Sequence, residues 1–144
     1  MKNEQKLREQ SATYLHCFND HCDRHETCLH WLVGQHTTQD AISIPCVNPM
    51  HPEVKAGRCP IYRENQVVSY ARGMIHFFDE MPGRLERAIK GRLIALYSRK
   101  KYYEFRNGTR PIPPEVQSVI SRICQECGWT ATPQYDAWEE NYRW

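Results

Sequence analysis

NQVVSYARGMIHFFDEM, residues 65–81, is the stretch whose reading decides the fold class. Val67, Tyr70, Ala71, Met74, Phe77, Phe78 and Met81 recur at intervals of three and four, the period of one face of a helix. The spacing predicts a helix over 65–81, broken by Pro82 and Gly83. Similar patterns follow it. Over 84–97, Leu85, Ile89, Leu93, Leu96 and Tyr97 fall on an inward face, with Arg84, Arg87, Lys90 and Arg92 largely outward. Ser98 suits the N-cap of a third helix over 99–107, closed at Asn107-Gly108. A fourth starts in PIPPE, with Pro114 at its first position, Glu115 in its first turn, and Val116, Val119, Ile120, Ile123 and Cys127 on its apolar face. The tail TPQYDAWEENYRW, rich in Tyr and Trp, is expected to pack back as a short helix.

Upstream, the pattern is different. Residues 14–62 hold five of the seven cysteines and six of the seven histidines, with little periodicity outside DRHETCLHWLVG at 23–34. There Cys28, Leu29, Leu32 and Val33 line one face of a short helix ended by Gly34. The expected architecture is all-α: an irregular Cys/His-rich part over 1–64, packed on a helix-turn-helix-like helical bundle over 65–144. At 144 residues the chain is one domain or two very small ones.

The formal net charge is only +2, yet charge is unevenly placed. From Arg84 to Arg110 there are nine Lys/Arg and two acids, whereas Glu115–Trp144 holds five acids and two arginines. A basic centre beside an acidic tail can steer and orient a partner. The two helices meeting at Ser98 match a helix-turn-helix in length and charge, with 99–107 as the groove-reading helix. Arg99, Lys100, Lys101 and Arg106 supply donors for base edges and phosphates. Tyr102 and Phe105 anchor the helix to the core, leaving Tyr103 for contact, and Asn107, Thr109 and Arg110 reach the backbone phosphates. Double-stranded DNA is the expected partner.

Seven cysteines are many for this length, and an odd number argues against a disulfide framework. Cys17, Cys22 and Cys28 follow a C-x4-C-x5-C series, and Cys59 lies in GRCP. Four thiolates on one zinc ion would supply folding energy where the core is thin. An iron–sulfur cluster on the same residues and buried thiols with no metal are the alternatives. Histidines 16, 21, 25 and 30 and Cys46 lie near enough in sequence to replace a ligand. Cys124 and Cys127 form a CxxC, but they sit on the period of the fourth helix and read as core residues.

No glycine-rich phosphate loop, HExxH or GxSxG occurs, so catalysis is the least supported class. The start, MKNEQKLREQ, lacks an apolar leader, and no apolar run approaches the roughly 20 residues of a membrane helix. The expectation is a cytoplasmic DNA-binding regulatory or accessory protein with a structural metal. The competing expectation is a protein-interaction module with buried thiols and no nucleic-acid binding, its aromatic tail meeting a protein partner.

YLHCFNDHC, ETCLHWL, VNP, CPIYR, YARGM, YYEFRNGTRPIPPE and YDAWEENYRW together resemble an uncharacterised family, a domain of unknown function in small Bacteroides-type bacterial proteins. The resemblance covers nearly the whole chain and implies that the cysteines at 17, 22, 28 and 59 belong to the family pattern. It implies no activity. Locally, YYEFRNGTRPIPPE is similar to the reading helix and turn of Cro-like phage repressors, though Tyr97-Ser98-Arg99 stands where their small-residue glycine turn would be.

Overall fold

The computed structural model describes residues 2–144 and overturns the reading of residues 65–81. Val67–Arg72 is a strand, β1, and the residues from Gly73 to Pro82 form turns without a helix. The tail is not a helix either: Ala137–Tyr142 is a second strand, β2, paired with β1 in a two-stranded antiparallel sheet. The protein is therefore mixed α/β rather than all-α. The helices are α1 (Lys2–Ser11), α2 (Leu29–Gln35), α3 (Pro52–Lys55), α4 (Gly83–Tyr97), α5 (Arg99–Asn107) and α6 (Pro114–Glu126), with a 3₁₀ turn at His25–Thr27. The chain divides into two units: residues up to Val67 with Asn141–Trp144, and Val68–Glu140.

The physical reason for the misread helix lies at Gly73. Its φ of +81° is left-handed, a conformation that glycine adopts without the penalty of a Cβ, and it ends β1 sharply. The amides of Ile75 and His76 then donate to the two carboxylate oxygens of Asp136, at 2.9 and 3.2 Å, and the Asp136 amide returns a bond to the Gly73 carbonyl at 3.1 Å. Each such turn amide bonded to a carboxylate is one that helix formation would have had to recapture. On its other side β1 exchanges two backbone bonds between Ala71 and Ile112 (3.0 and 2.8 Å), and Arg72 reaches the carbonyls of Gly108 and Thr109 and the Glu139 carboxylate. Long-range partners satisfy the segment's backbone, and they win over its local period.

The apolar residues of 65–81 still go where apolar residues go. Ala71, Met74, Phe77, Phe78 and Met81 are buried with Ile89, Leu93, Tyr102, Phe105, Ile112, Ile120, Ile123 and Cys124 in one core. Burying a large side chain of this kind is worth about 1.5–3 kcal/mol against exposure. Phe77 and Phe78 meet edge to face at 4.9 Å, a contact adjacent residues make in a turn and not on one helix face. Val67 and Leu96, placed inward by their periods, are 38% and 56% exposed.

The three helices around this core form for the reasons their sequence gives. Ser98 caps α5, its hydroxyl accepting from the Lys101 amide at 3.4 Å, and Gly108 closes it in the left-handed region. Pro114 begins α6, and Ile120, Ile123 and Cys124 form its buried face. In the other unit Leu7, Leu29, Val33 and Tyr142 make a small separate core. Gly34 does not end α2 but lies inside it, buried; a Cβ there would stand 2.4 Å from the Cys17 carbonyl oxygen. It is a close-approach glycine, not a cap.

Substituting Gly73→Ala should lower stability by roughly 2–4 kcal/mol, because the added Cβ is strained at positive φ and meets Asp136 Oδ2 at 2.4 Å. Gly128→Ala, also at positive φ but with open space around it, should cost only about 1 kcal/mol. Urea unfolding of the two variants gives the comparison, and equal losses would contradict the turn described.

Candidate functional site

The basic centre was the first site expected from the sequence, and its side chains are largely engaged within their own unit. Lys90 and Arg99 converge on Tyr103, at 5.4 and 5.9 Å from the ring centroid. A hydrogen bond from Lys90, then its charge, with Arg99 adding less, holds the Tyr103 hydroxyl below its usual value. Arg106 lies beside the hydroxyl of buried Tyr102 and opposes the upward push that burial gives it. Arg110 pairs with Glu104 at 2.6 Å, and Arg92 pairs with Glu126 at 2.5 Å. Lys100, Lys101 and Asn107 are exposed on α5. Tyr102 and Phe105 are buried as anchors, as their spacing predicts.

The helix-turn-helix reading is corrected by the junction itself. α4 and α5 are separated by Ser98 alone, at φ +80°, where a helix-turn-helix uses a turn of 3–4 residues. Tyr97 and Phe105 pack edge to face at 5.6 Å across this corner. Lys90, Arg92, Arg99, Arg106 and Arg110 are held against rings, a phenol and carboxylates, Lys100 and Lys101 stay exposed on α5, and the basic centre gives no structural basis for DNA binding.

The second expected site was a zinc or iron–sulfur centre. Cys17, Cys22, Cys28 and Cys59 do line one pocket, of about 20 Å³, together with His25, His30, Trp31 and Tyr62. The metal reading is nonetheless overturned: among the described residues no group of three or more His, Cys, Asp or Glu is arranged to hold a metal ion. The nearby histidines have other roles. His30 is buried, with Nδ1 2.7 Å from the Leu15 carbonyl oxygen and Nε2 3.0 Å from that of Ile61. His25 Nδ1 is 2.7 Å from the Cys22 carbonyl and His16 Nδ1 3.2 Å from that of Pro45. The irregular segment is thus fastened by imidazole–carbonyl bonds and by backbone bonds such as Leu29 N to Arg63 O (2.7 Å) and Val47 N to His16 O (2.8 Å). Those bonds occupy the place that a metal was expected to fill. Cys46 is exposed, and all seven cysteines are free thiols.

Burial, with the neighbouring Cys28, Cys22 and Cys59, raises the Cys17 pKa. Cys124 is buried on α6 and pushed up to about 11 by desolvation, which suits a core thiol. Cys127 is half-buried at the end of the same helix.

A third feature was not found by sequence reasoning. A groove of about 600 Å³ runs along α6, the segment before β2 and the start of β2 itself. Its floor carries Ser118, Ser121 and Gln125, which repeat at helical spacing. Pro114, Pro133, Tyr135 and Trp138 add proline and aromatic surface. Tyr135 and Trp138 stand edge to face at 5.5 Å, and Trp138 is 55% exposed. Burial raises the Tyr135 hydroxyl pKa far above normal, and Phe77 supports its ring at 5.5 Å. Among the described residues Arg122 is the groove's one charged lining residue; it meets Glu126 only at 3.9 Å, while Glu126 bonds Arg92 much more closely. The aromatic tail was the only sequence signal for this site, and a helical tail would have placed those rings differently.

Among the described residues no helix is long and apolar enough to cross a membrane. The chain belongs to a family of unknown function, DUF6078, whose model matches residues 1–144. No curated protein and no solved structure matches it.

In a spectroscopic titration of the phenols, Tyr103 should ionise below the ordinary value near 10, with Tyr14, Tyr97, Tyr102, Tyr135 and Tyr142 following above it. Because the cations favour the phenolate, Tyr103→Phe should remove the earliest step, and added salt should move that step upward. An unchanged early step in Tyr103→Phe would mean that Lys90 and Arg99 are not held at this ring.

Proposed function

We propose that the protein is a protein-interaction module whose docking surface is the groove between α6 and the Tyr135–Trp138 segment. The observation that carries this reading is Trp138. A large aromatic on β2, more than half exposed and braced by Tyr135 just before that strand, is the kind of residue that dominates binding when a partner covers it.

The groove's chemistry selects an extended, proline-containing segment of a partner protein with an acidic residue beside the proline. Proline rings stack well on open aromatic surfaces, and an extended segment loses little entropy on docking. The hydroxyls and amide along α6 offer hydrogen bonds to its backbone, and Arg122 offers the complementary charge. The roles divide with the chain: residues 65–144 carry the docking surface and 1–64 the thiol-rich segment. We place the protein in the cytoplasm, a reading supported by its odd number of cysteines, all free.

Selection from a displayed random-peptide library against the full chain should enrich proline next to Asp or Glu. Trp138→Ala should weaken those peptides roughly thirtyfold, about 2 kcal/mol, without loss of secondary structure. Arg122→Ala should remove the acidic preference while leaving the proline. Absence of enrichment, or binding indifferent to Trp138→Ala, contradicts the reading, as does duplex-DNA binding that weakens steeply with salt.

A further inference from the structure

The pocket shared by Cys17, Cys22, Cys28 and Cys59 has a second kind of chemistry open to it. These thiols come from three separate stretches: the loop after α1, the turn leading into α2, and the loop after α3. The backbone brings them together. The Cys17 amide donates to the His30 carbonyl at 3.0 Å, laying Cys17 along α2, whose N-cap is Cys28. The His25 amide donates to the Cys22 carbonyl at 3.0 Å and the Cys28 amide to the His25 carbonyl at 3.1 Å, so two successive turns stack Cys22 on Cys28. On the far side, Leu29 N bonds Arg63 O at 2.7 Å and Tyr62 N bonds Cys59 O at 3.2 Å, which draws Cys59 in. The wall also includes Trp31, Tyr62, Val47 and Val54, with Asn19, His25 and His30. At about 20 Å³ the space is little more than one water molecule, too small for an organic ligand.

We propose that this pocket is an oxidation site, at which a peroxide converts Cys17 and one of Cys22, Cys28 and Cys59 into an intramolecular disulfide. The thiolate sulfur of Cys17 attacks one peroxide oxygen; the S–O bond forms, the O–O bond breaks, and the departing hydroxide takes up a proton as water. The second sulfur then attacks the sulfenic sulfur. The S–S bond forms, the S–O bond breaks, and hydroxide leaves with the second thiol's proton as another water. Two thiols lose two electrons, and one peroxide gains them. Cys17, Cys22 and Cys59 are all half-buried, and Cys17 is singled out because Cys22, Cys28 and Cys59 are all its neighbours, while Cys46 is exposed but has no other cysteine in its pocket. Burial and the neighbouring sulfurs push the Cys17 thiol pKa up, so its reactive thiolate form grows as the pH rises.

The test treats the reduced full-length protein with hydrogen peroxide, blocks remaining thiols, and maps the peptides by mass spectrometry. The expected product is a bond between Cys17 and another of the four, with the unblocked intact mass lower by about 2 Da, forming several-fold faster at higher pH. Cys17→Ser should abolish it, whereas Cys46→Ser should form it at the normal rate, which distinguishes the chemistry from a folding defect. A disulfide confined to Cys46, Cys124 or Cys127 overturns the proposal. So does oxidation to sulfinic acid with no disulfide, or a purified protein whose native mass shows a metal ion on these thiols. None of these outcomes bears on peptide binding at the groove.

Discussion

The Asp136 carboxylate, holding the amides of Ile75 and His76, is the constraint on which the C-terminal architecture depends. It turns the chain after β1, and it is possible because residue 73 is glycine, which leaves room for the carboxylate where a Cβ would stand. The turn directs Met74, Phe77, Phe78 and Met81 into the core under α4 and α5 without a helix of their own. The same bond fixes the segment that leads into β2. Tyr135 and Trp138 flank Asp136, so the groove's aromatic wall is positioned by the clasp that ends β1. Fold and docking surface share one polar contact.

Charge shows a similar dependence on arrangement. A local excess of Lys and Arg over 84–110 suggests a polyanion-binding face, but the number of cations does not say where they point. Lys90 and Arg99 gather on Tyr103, Arg110 on Glu104 and Arg92 on Glu126. Exposed pairs of this kind contribute little to stability. Their effect is to fix most of the side chains that a nucleic-acid reading needs free, leaving Lys100 and Lys101 exposed on α5. Arg122 is different, because its nearest carboxylate is held by another arginine.

What could be read in the sequence was local chemistry. The Ser98 cap, the Gly108 stop, Pro114 at the start of α6 and the burial of Tyr102, Phe105 and Cys124 all follow from neighbours within a few residues. What was missed depends on partners far along the chain. Ala71 pairs with Ile112, Ile75 with Asp136 and Gln117 with Ser69, and none of these leaves a periodic trace. A strand followed by turns produced an apolar spacing of three and four because its residues enter one core from different directions. In the Cys/His-rich part the grouping of Cys17, Cys22, Cys28 and Cys59 was readable, but its meaning was not. His30, buried with its ring nitrogens against the carbonyls of Leu15 and Ile61 and donating to one of them, gives fastening that a metal was expected to give. The groove was legible only as an aromatic tail, since its form requires the tail to be a strand.

Backbone chemical shifts and amide exchange over residues 65–82 measure the central claim directly. The account predicts extended shifts over Val67–Arg72, no helical run after Gly73, and slowed exchange at the Ile75 and His76 amides bonded to Asp136. An unbroken series of helical shifts from 65 to 81, with those two amides exchanging freely, would contradict it.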